Sequence, residues 1–339
     1  MRVGDFYEFY GEDAEIASRE MEIALTSRED GKNNRVAMAG VPYHAVERYI
    51  AKLLQKNFKV ALCDQVEDPR QAKGLVKRRV TRVITPGTLL EDSMLDAKQN
   101  NYLVAAVSGE PRHGLSVVDV STGEFMATEI DGDQRQTKLL QEIMRLDPAE
   151  ILVPEKDPDL ADEIKLICDA TITPYEDYSG PPITSKDYLQ RHFETANLRG
   201  YGCEDYTSGL DAAALVLKYL RSNQVPTVQH ITSLSTYSID GFMHVDSIAR
   251  RHLELTQNLS DGSRKNTLVT VLDHTETPMG ARLLRRWIDE PLLDVASIEL
   301  RLDSVEELAK EALRREEIRE ALHPISDLER LISRAATGT

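Results

Sequence analysis

Phe6 and Glu8 are the first residues in this chain whose types and spacing could do chemistry, an aromatic ring able to stack and a carboxylate able to hydrogen-bond. Both lie in Gly4–Tyr10 (GDFYEFY), which is expected to form a strand. Aromatics suit a pleated surface, and Gly4 and Gly11 punctuate its ends. Period-two alternation sets Phe6, Glu8 and Tyr10 on one face and Asp5, Tyr7 and Phe9 on the other. A purely structural arrangement satisfies the same pattern, with both aromatic faces in the core and Glu8 a solvated edge residue.

A second candidate is Lys73–Arg82 (KGLVKRRVTR), with five basic residues and no acidic one. Such a strip can track phosphates, or it can guard the edge of a sheet. The net charge of −16 argues against a nucleic-acid partner until its distribution is considered. Residues 1–98 hold 16 basic and 16 acidic side chains, so the whole excess lies in the rest of the chain. Cys63, Cys168 and Cys203 are isolated, form neither a metal box nor a disulfide framework, and read as reduced packing residues of a cytosolic protein. His44 has no Cys, His or Asp at ligand spacing and reads as a helix-end hydrogen-bonding residue. The 41% hydrophobic and 29% charged content are those of a soluble globular protein. At 339 residues the chain is too long for one core and suggests two or three domains. No apolar run approaches the roughly twenty residues that span a bilayer, and no secretory signal opens the chain.

These residues need a scaffold. A helix is expected over Glu12–Leu25, with Ala14, Ala17, Met21 and Ala24 on one stripe, then a polar loop over Arg28–Arg35. Pro42 should open a second helix burying Val46, Tyr49, Ile50, Leu53 and Leu54. Strands follow at Phe58–Val66 and Val80–Thr85, the latter stopped at Pro86-Gly87. This β-α-α-β-β order makes a small α/β module with Phe6 near its rim, and Glu91–Asn101 reads as a linker. Strands at Tyr102–Val107, Gly114–Ser121, Glu124–Glu129, Ile151–Val153 and Thr171–Thr173, with a helix at Gln134–Leu146 and another after Val153, predict a mixed sheet packed by helices. Ser179–Asn197 reads as surface connection and Leu210–Leu220 as a packed helix. Beyond Tyr237 the pattern is helical, with apolar stripes at Ile248/Leu255/Leu259 and Leu268/Val271/Leu272. A third stripe, Met279/Leu283/Leu284/Trp287/Ile288, leaves Arg282, Arg285 and Arg286 as a solvated outer face.

GDFYEFY, the following GEDAEIAS, MAGVPYHAVERY (Met38–Tyr49) and TPGT (Thr85–Thr88) together resemble the opening of the MutS family of DNA mismatch-recognition proteins. SVVDVSTGEF (Ser116–Phe125) is more weakly similar to that family's connector, and Asp261–Ile288 resembles the start of its core or lever domain. The resemblance implies a multidomain α/β plus α protein: a mismatch-recognition domain over residues 1–95, a ribonuclease-H-like connector over 101–225, and a helical core over 237–339. It assigns mismatch reading to Phe6 and Glu8, and by motif position makes Arg28 a phosphate contact. Lys77, Arg78 and Arg79 are the phosphate candidates of the basic strip. A Phe wedge in the minor groove unstacks a base step, and a mispaired step costs least to open. Glu8 can hydrogen-bond a base edge, while its charge disfavours correctly paired DNA where no such bond forms.

The implied partner is mismatched double-stranded DNA. For the whole protein the resemblance implies a homodimer, recruitment of MutL, and an ATPase using ATP and Mg2+, located in the cytoplasm on DNA and not in a membrane. The chain starts three residues before the GDFYE strand, and no Gly-x4-Gly-Lys-Ser/Thr loop occurs in it. The expectation is therefore an N-terminal fragment that binds without catalysing, with no cofactor of its own. Two other functions stay open. A MutS paralogue acting in recombination fits the family but not the intact Phe6–Glu8 pair. A metal-dependent ribonuclease-H-like nuclease would place Asp119 at the metal, but needs Glu124 and Glu150 to converge on it.

Overall fold

The computed structural model of the protein describes residues 1–29, 35–67, 76–176, 183–223 and 226–337. Its first part contains β1 (Arg2–Val3), β2 (Phe6–Tyr10), α1 (Glu12–Met21), β3 (Thr26–Glu29), β4 (Arg35–Pro42), α2 (Val46–Leu54), β5 (Val60–Gln65) and β6 (Arg78–Ile84). Strands β1 to β4 form an antiparallel sheet in the order β1-β2-β4-β3, and β5 pairs separately with β6. Tyr7 and Val41 from the sheet, Ala17 and Met21 from α1, and Ile50, Leu53 and Leu54 from α2 share one core.

Two strands stand where the β-α-α-β-β reading has a loop. The expected polar loop over 28–35 is strand at both described ends, and Pro42 closes β4 instead of opening a helix. A 3-10 turn at Tyr43–Ala45 then leads into α2. Every residue of β3 is exposed, so this edge strand is held by backbone pairing to β4 and shows no apolar alternation.

The middle part is a mixed sheet of β7 (Tyr102–Val107), β8 (His113–Asp119), β9 (Glu124–Ile130), β10 (Glu150–Pro154) and β11 (Thr171–Tyr175), joined by β12 (Ser235–Thr236). Its order is β11-β10-β7-β8-β9-β12, with β7, β8 and β9 antiparallel and the outer strands parallel to their neighbours. Helices α3 (Arg135–Leu146) and α4 (Pro158–Lys165) bury Leu139, Ile143 and Ile164 against one face. Helices α5 (Ser185–His192) and α6 (Ser208–Ser222) cover the other with Leu189, Leu210 and Leu217. The stretch read as surface connection, 179–197, thus contains a packing helix, although 179–182 lie outside the described residues.

The last part holds α7 (Ser247–His252), α8 (Leu268–Leu272), α9 (Pro278–Asp289), α10 (Val295–Lys310), α11 (Ala312–Leu322) and α12 (Leu328–Thr337). Its expected stripes are largely reversed. Ile248, Leu259, Leu268, Val271 and Leu272 are exposed, whereas Leu255 and Val269 are buried. The chain leaves the helical conformation after α7, with Glu254 at φ 46°, so the long stripe never forms.

Helix α9 does not keep the expected division of faces. Leu283 and Trp287 face solvent, and Arg282 is buried, forked onto Asp327 at 2.7 Å for each bond and onto Glu329 at 2.6 Å. Arg286 reaches Glu124 of the middle sheet. The arginine face therefore docks, because Glu124 on β9, Asp327 just before α12 and Glu329 on α12 neutralise it. The expected linker 91–101 lies in the same seam: Arg282 donates to Ala97 O, and Arg330 donates to Asp96 O and Gln99 O.

Candidate nucleic-acid interface

Alternation in β2 turns Phe6 and Tyr7 to opposite faces. Tyr7 is 6% exposed and donates its hydroxyl to Asp64 at 2.6 Å, which explains the polar break in β5; Thr81 donates to the other oxygen of Asp64 at 2.6 Å. Burial, and then that hydrogen bond, raises the Tyr7 phenol well above its usual range. Phe6, one residue earlier, is 48% exposed. The ring is thus not a core residue.

Register extends this outer face across the sheet. Phe6, Glu8 and Tyr10 lie opposite Pro42, Gly40 and Met38, and Thr26 and Arg28 of β3 pair with Met38 and Val36. The outer face therefore carries Phe6, Pro42, Met38 and the Glu8 carboxylate together. Gly40 leaves the strip beside the ring and the carboxylate bare; a β-carbon there would stand 3.7 Å from Glu8 Cγ and 3.9 Å from the Phe6 ring.

Glu8 is not free. The Tyr10 hydroxyl donates to its Oε2, and Arg28 Nη1 lies 3.8 Å from the same oxygen and donates to the Tyr10 hydroxyl at 3.2 Å. Arg28, expected in a loop, stands instead on β3 beside the carboxylate. Sequence reasoning missed Tyr10, although its two-residue spacing from Glu8 was available.

The basic strip divides by role. Lys77 and Arg79 are exposed at the start of β6. Arg78 is half-buried and donates to Arg2 O and Val76 O, tying β6 to β1. Arg82 is buried and paired with Glu91, so it faces inward. Lys73 lies outside the described residues.

The three carboxylates of the nuclease reading do not converge on one site: Asp119 stands opposite Glu124, with Asn100 donating to both, but Glu150 lies apart. Asp119 pairs in register with Tyr102, and Glu150 with Leu103, so their side chains leave opposite faces of the sheet. Each is already occupied. Asp119 accepts from Ser121, Asn100 and the Asn101 amide, and Glu124 is bound by Arg286. Glu150 is fully buried and accepts from Thr85, the Gly87 amide, Thr173 and Tyr219, with Lys59 at 3.5 Å. Among the described residues no group of three or more His, Cys, Asp or Glu is placed to hold a metal ion, and no helix is long and apolar enough to cross a membrane.

Comparison with known proteins follows the three parts. The family models described as MutS domain I, MutS domain II and MutS domain III match residues 1–93, 101–232 and 248–339. The DNA mismatch repair protein MutS of Syntrophomonas wolfei is 44% identical over 334 residues, covering 97% of this chain and 39% of its own. The protein of the same description from Symbiobacterium thermophilum is 45% identical over 344 residues, covering 100% of this chain and 39% of its own. That from Methanosarcina barkeri is 40% identical over 353 residues, with 99% and 39% coverage. The chain thus spans about two fifths of the length of these relatives.

Proposed function

The chain belongs to the MutS family, and from that premise we propose that it binds duplex DNA and recognises mispaired or looped-out bases through the outer face of β2. Phe6 enters the minor groove as a wedge, and Glu8 hydrogen-bonds the displaced base. One observation carries this reading: Phe6 stands exposed beside a carboxylate while its neighbour Tyr7 fills the core. Pro42 and Met38 widen the apolar contact, and the bare strip at Gly40 admits a base edge to Glu8. Lys77 and Arg79 hold phosphates without reading sequence, with Arg28 and Arg78 as further candidates.

The three-part division follows the same reading, with a recognition domain, a ribonuclease-H-like connector supported by its three antiparallel strands flanked by parallel ones, and a helical core. For the whole protein we infer an ATP-driven dimer on DNA in the cytoplasm that recruits MutL. No Gly-x4-Gly-Lys-Ser/Thr loop occurs in the present residues, so ATP and its Mg2+ are assigned to the whole protein and not to these residues.

The test is Phe6→Ala with two duplexes that differ only by a central G·T in place of G·C. Base–aromatic stacking contributes on the order of 1–3 kcal/mol, so the preference for the mispaired duplex should fall by about tenfold or more, with the melting temperature unchanged. A variant that keeps its preference and melts several degrees lower would return Phe6 to a packing role.

A further inference from the structure

The outer face of β2 holds Glu8 by one oxygen, and we infer that Tyr10 and Arg28 are positioning residues that set how this carboxylate meets a base; the inference rests on the DNA-reading role proposed above. The contacts form a directed chain. A guanidinium has donors and no acceptor, so Arg28 can only give a hydrogen bond to the Tyr10 oxygen, at 3.2 Å. The single phenolic proton is then directed to Glu8 Oε2, which it reaches. Arg28 reinforces the same oxygen from 3.8 Å. Both contacts fall on Oε2, and Oε1 takes part in neither, so the arrangement fixes which oxygen turns outward as acceptor.

Fold geometry places the three groups together. Tyr10 follows Glu8 by two strand positions, which returns it to the same face. Arg28 comes from β3, across β4, at a register position beside Val36 on that face. The Glu8 side chain is 17% exposed and that of Arg28 58%, so the carboxylate is sheltered while the guanidinium stays wet. Burial, and then the hydrogen bond to Glu8, raises the Tyr10 phenol above its usual range, so it remains a donor throughout neutral pH.

On a mispair, a fixed Oε1 can accept from a displaced base without first losing rotamer freedom. On a matched duplex the same fixed charge cannot swing aside. Releasing Oε2 should therefore reduce discrimination from both sides. This differs from a phosphate role for Arg28, whose loss would weaken both duplexes alike.

The experiment is a double-mutant cycle on the whole chain, reading the ratio of affinities for the G·T and G·C duplexes at one salt concentration. Tyr10→Phe should lower that ratio about twofold in the native background and leave it unchanged in Glu8→Ala, which has no oxygen for Tyr10 to hold. Arg28→Gln should also lower it, and Arg28→Lys should restore part of it. Equal effects of Tyr10→Phe in both backgrounds would overturn the inference, as would Arg28→Gln weakening both duplexes by one factor. Phe6→Ala in the same assay separates the two readings. If it abolishes the preference while the cycle shows no coupling, the positioning role fails and the wedge stands; if Phe6→Ala and Glu8→Gln both leave the ratio unchanged, the DNA-reading role itself fails.

Discussion

Glu8 and Glu150 are the same chemical group treated in opposite ways. Glu150 sits fully buried where the first part meets the middle sheet, its Oε2 accepting from Thr85 and the Gly87 amide. Its Oε1 accepts from Thr173 and Tyr219 at 2.7 Å each, beside Lys59. These donors come from the TPGT turn, β11, α6 and the approach to β5, so one carboxylate ties four segments. Glu8 receives its donors on one oxygen, from its own outer face. A carboxylate saturated by its own protein belongs to the fold, and one with an oxygen to spare is available to a partner. Position on a strand does not separate these cases, because Glu8 lies on β2 and Glu150 on β10.

Glu150→Ala should give the largest effect. It leaves several buried donors and the Lys59 ammonium facing a void, a kind of loss that costs about 3–5 kcal/mol. Denaturant unfolding should register this, and the ratio of mismatched to matched affinity should not move. A shifted ratio with unchanged stability would break the comparison, since Glu150 would then be acting on DNA.

Arg282 extends the saturated class to the α9 seam, and Arg282→Ala should cost about 3 kcal/mol by stranding Asp327. Burial alone would raise the Asp327 carboxyl, but hydrogen bonds and charge from Arg282, and then from Arg330, hold it below its usual range. A carboxyl so depressed contributes stability that is present above the unfolded value of about 3.9 and is lost as pH falls from there through the lower folded value. The native chain should show this acid-sensitive loss, and Arg282→Ala should lack most of it. Equal pH dependence in both would mean that Asp327 is not the group responsible.

The sequence made β2 legible for a physical reason: its aromatics suit a pleated surface, and Tyr7 packs in the core while Phe6, one position earlier, is exposed. What it concealed depended on distant partners. The pattern of α9 shows that its arginines and leucines lie on different faces, but not which face docks. That was decided by Asp327 and Glu329, 45 and 47 residues away, and by Glu124, 162 residues away. Glu150 suggested metal chemistry until its partners 65 and 69 residues away, Thr85 and Tyr219, were in place. Strand β3 was hidden because an exposed edge needs no apolar residues, and with it went the position of Arg28 beside Glu8.

Lys77 and Arg79 sharpen the comparison from the cationic side, since neither carries the structural contacts that Arg78 makes. Neutralising the pair to Gln should weaken both duplexes by about the same factor, roughly tenfold. Each phosphate contact contributes about 0.9 to the slope of log affinity against log salt, so the slope should fall by about two. Arg78→Gln should mainly lower the melting temperature. An unchanged salt slope in the double variant would assign Lys77 and Arg79 to guarding the strand edge.

Glu8→Gln should give the smallest change, and the most direct test of an oxygen left over for a partner. Glu8 shares its face with Phe6, so wherever the ring enters the groove the carboxylate follows towards phosphates and base acceptors. On paired DNA it meets repulsion and few free donors, and its loss of water is uncompensated. On a mispair a displaced base can offer a ring N–H to the carboxylate. Gln keeps the size and a donor but removes the charge. Binding to the matched duplex should therefore improve by about threefold, the scale of a partly exposed charge interaction, with a smaller change on the mispaired one. Stability should hold, because the sheltered oxygen keeps a hydrogen-bond acceptor for Tyr10. If Gln instead weakens the mispaired complex and leaves the matched one untouched, Glu8 acts by attraction alone, and its charge plays no part in rejecting paired DNA.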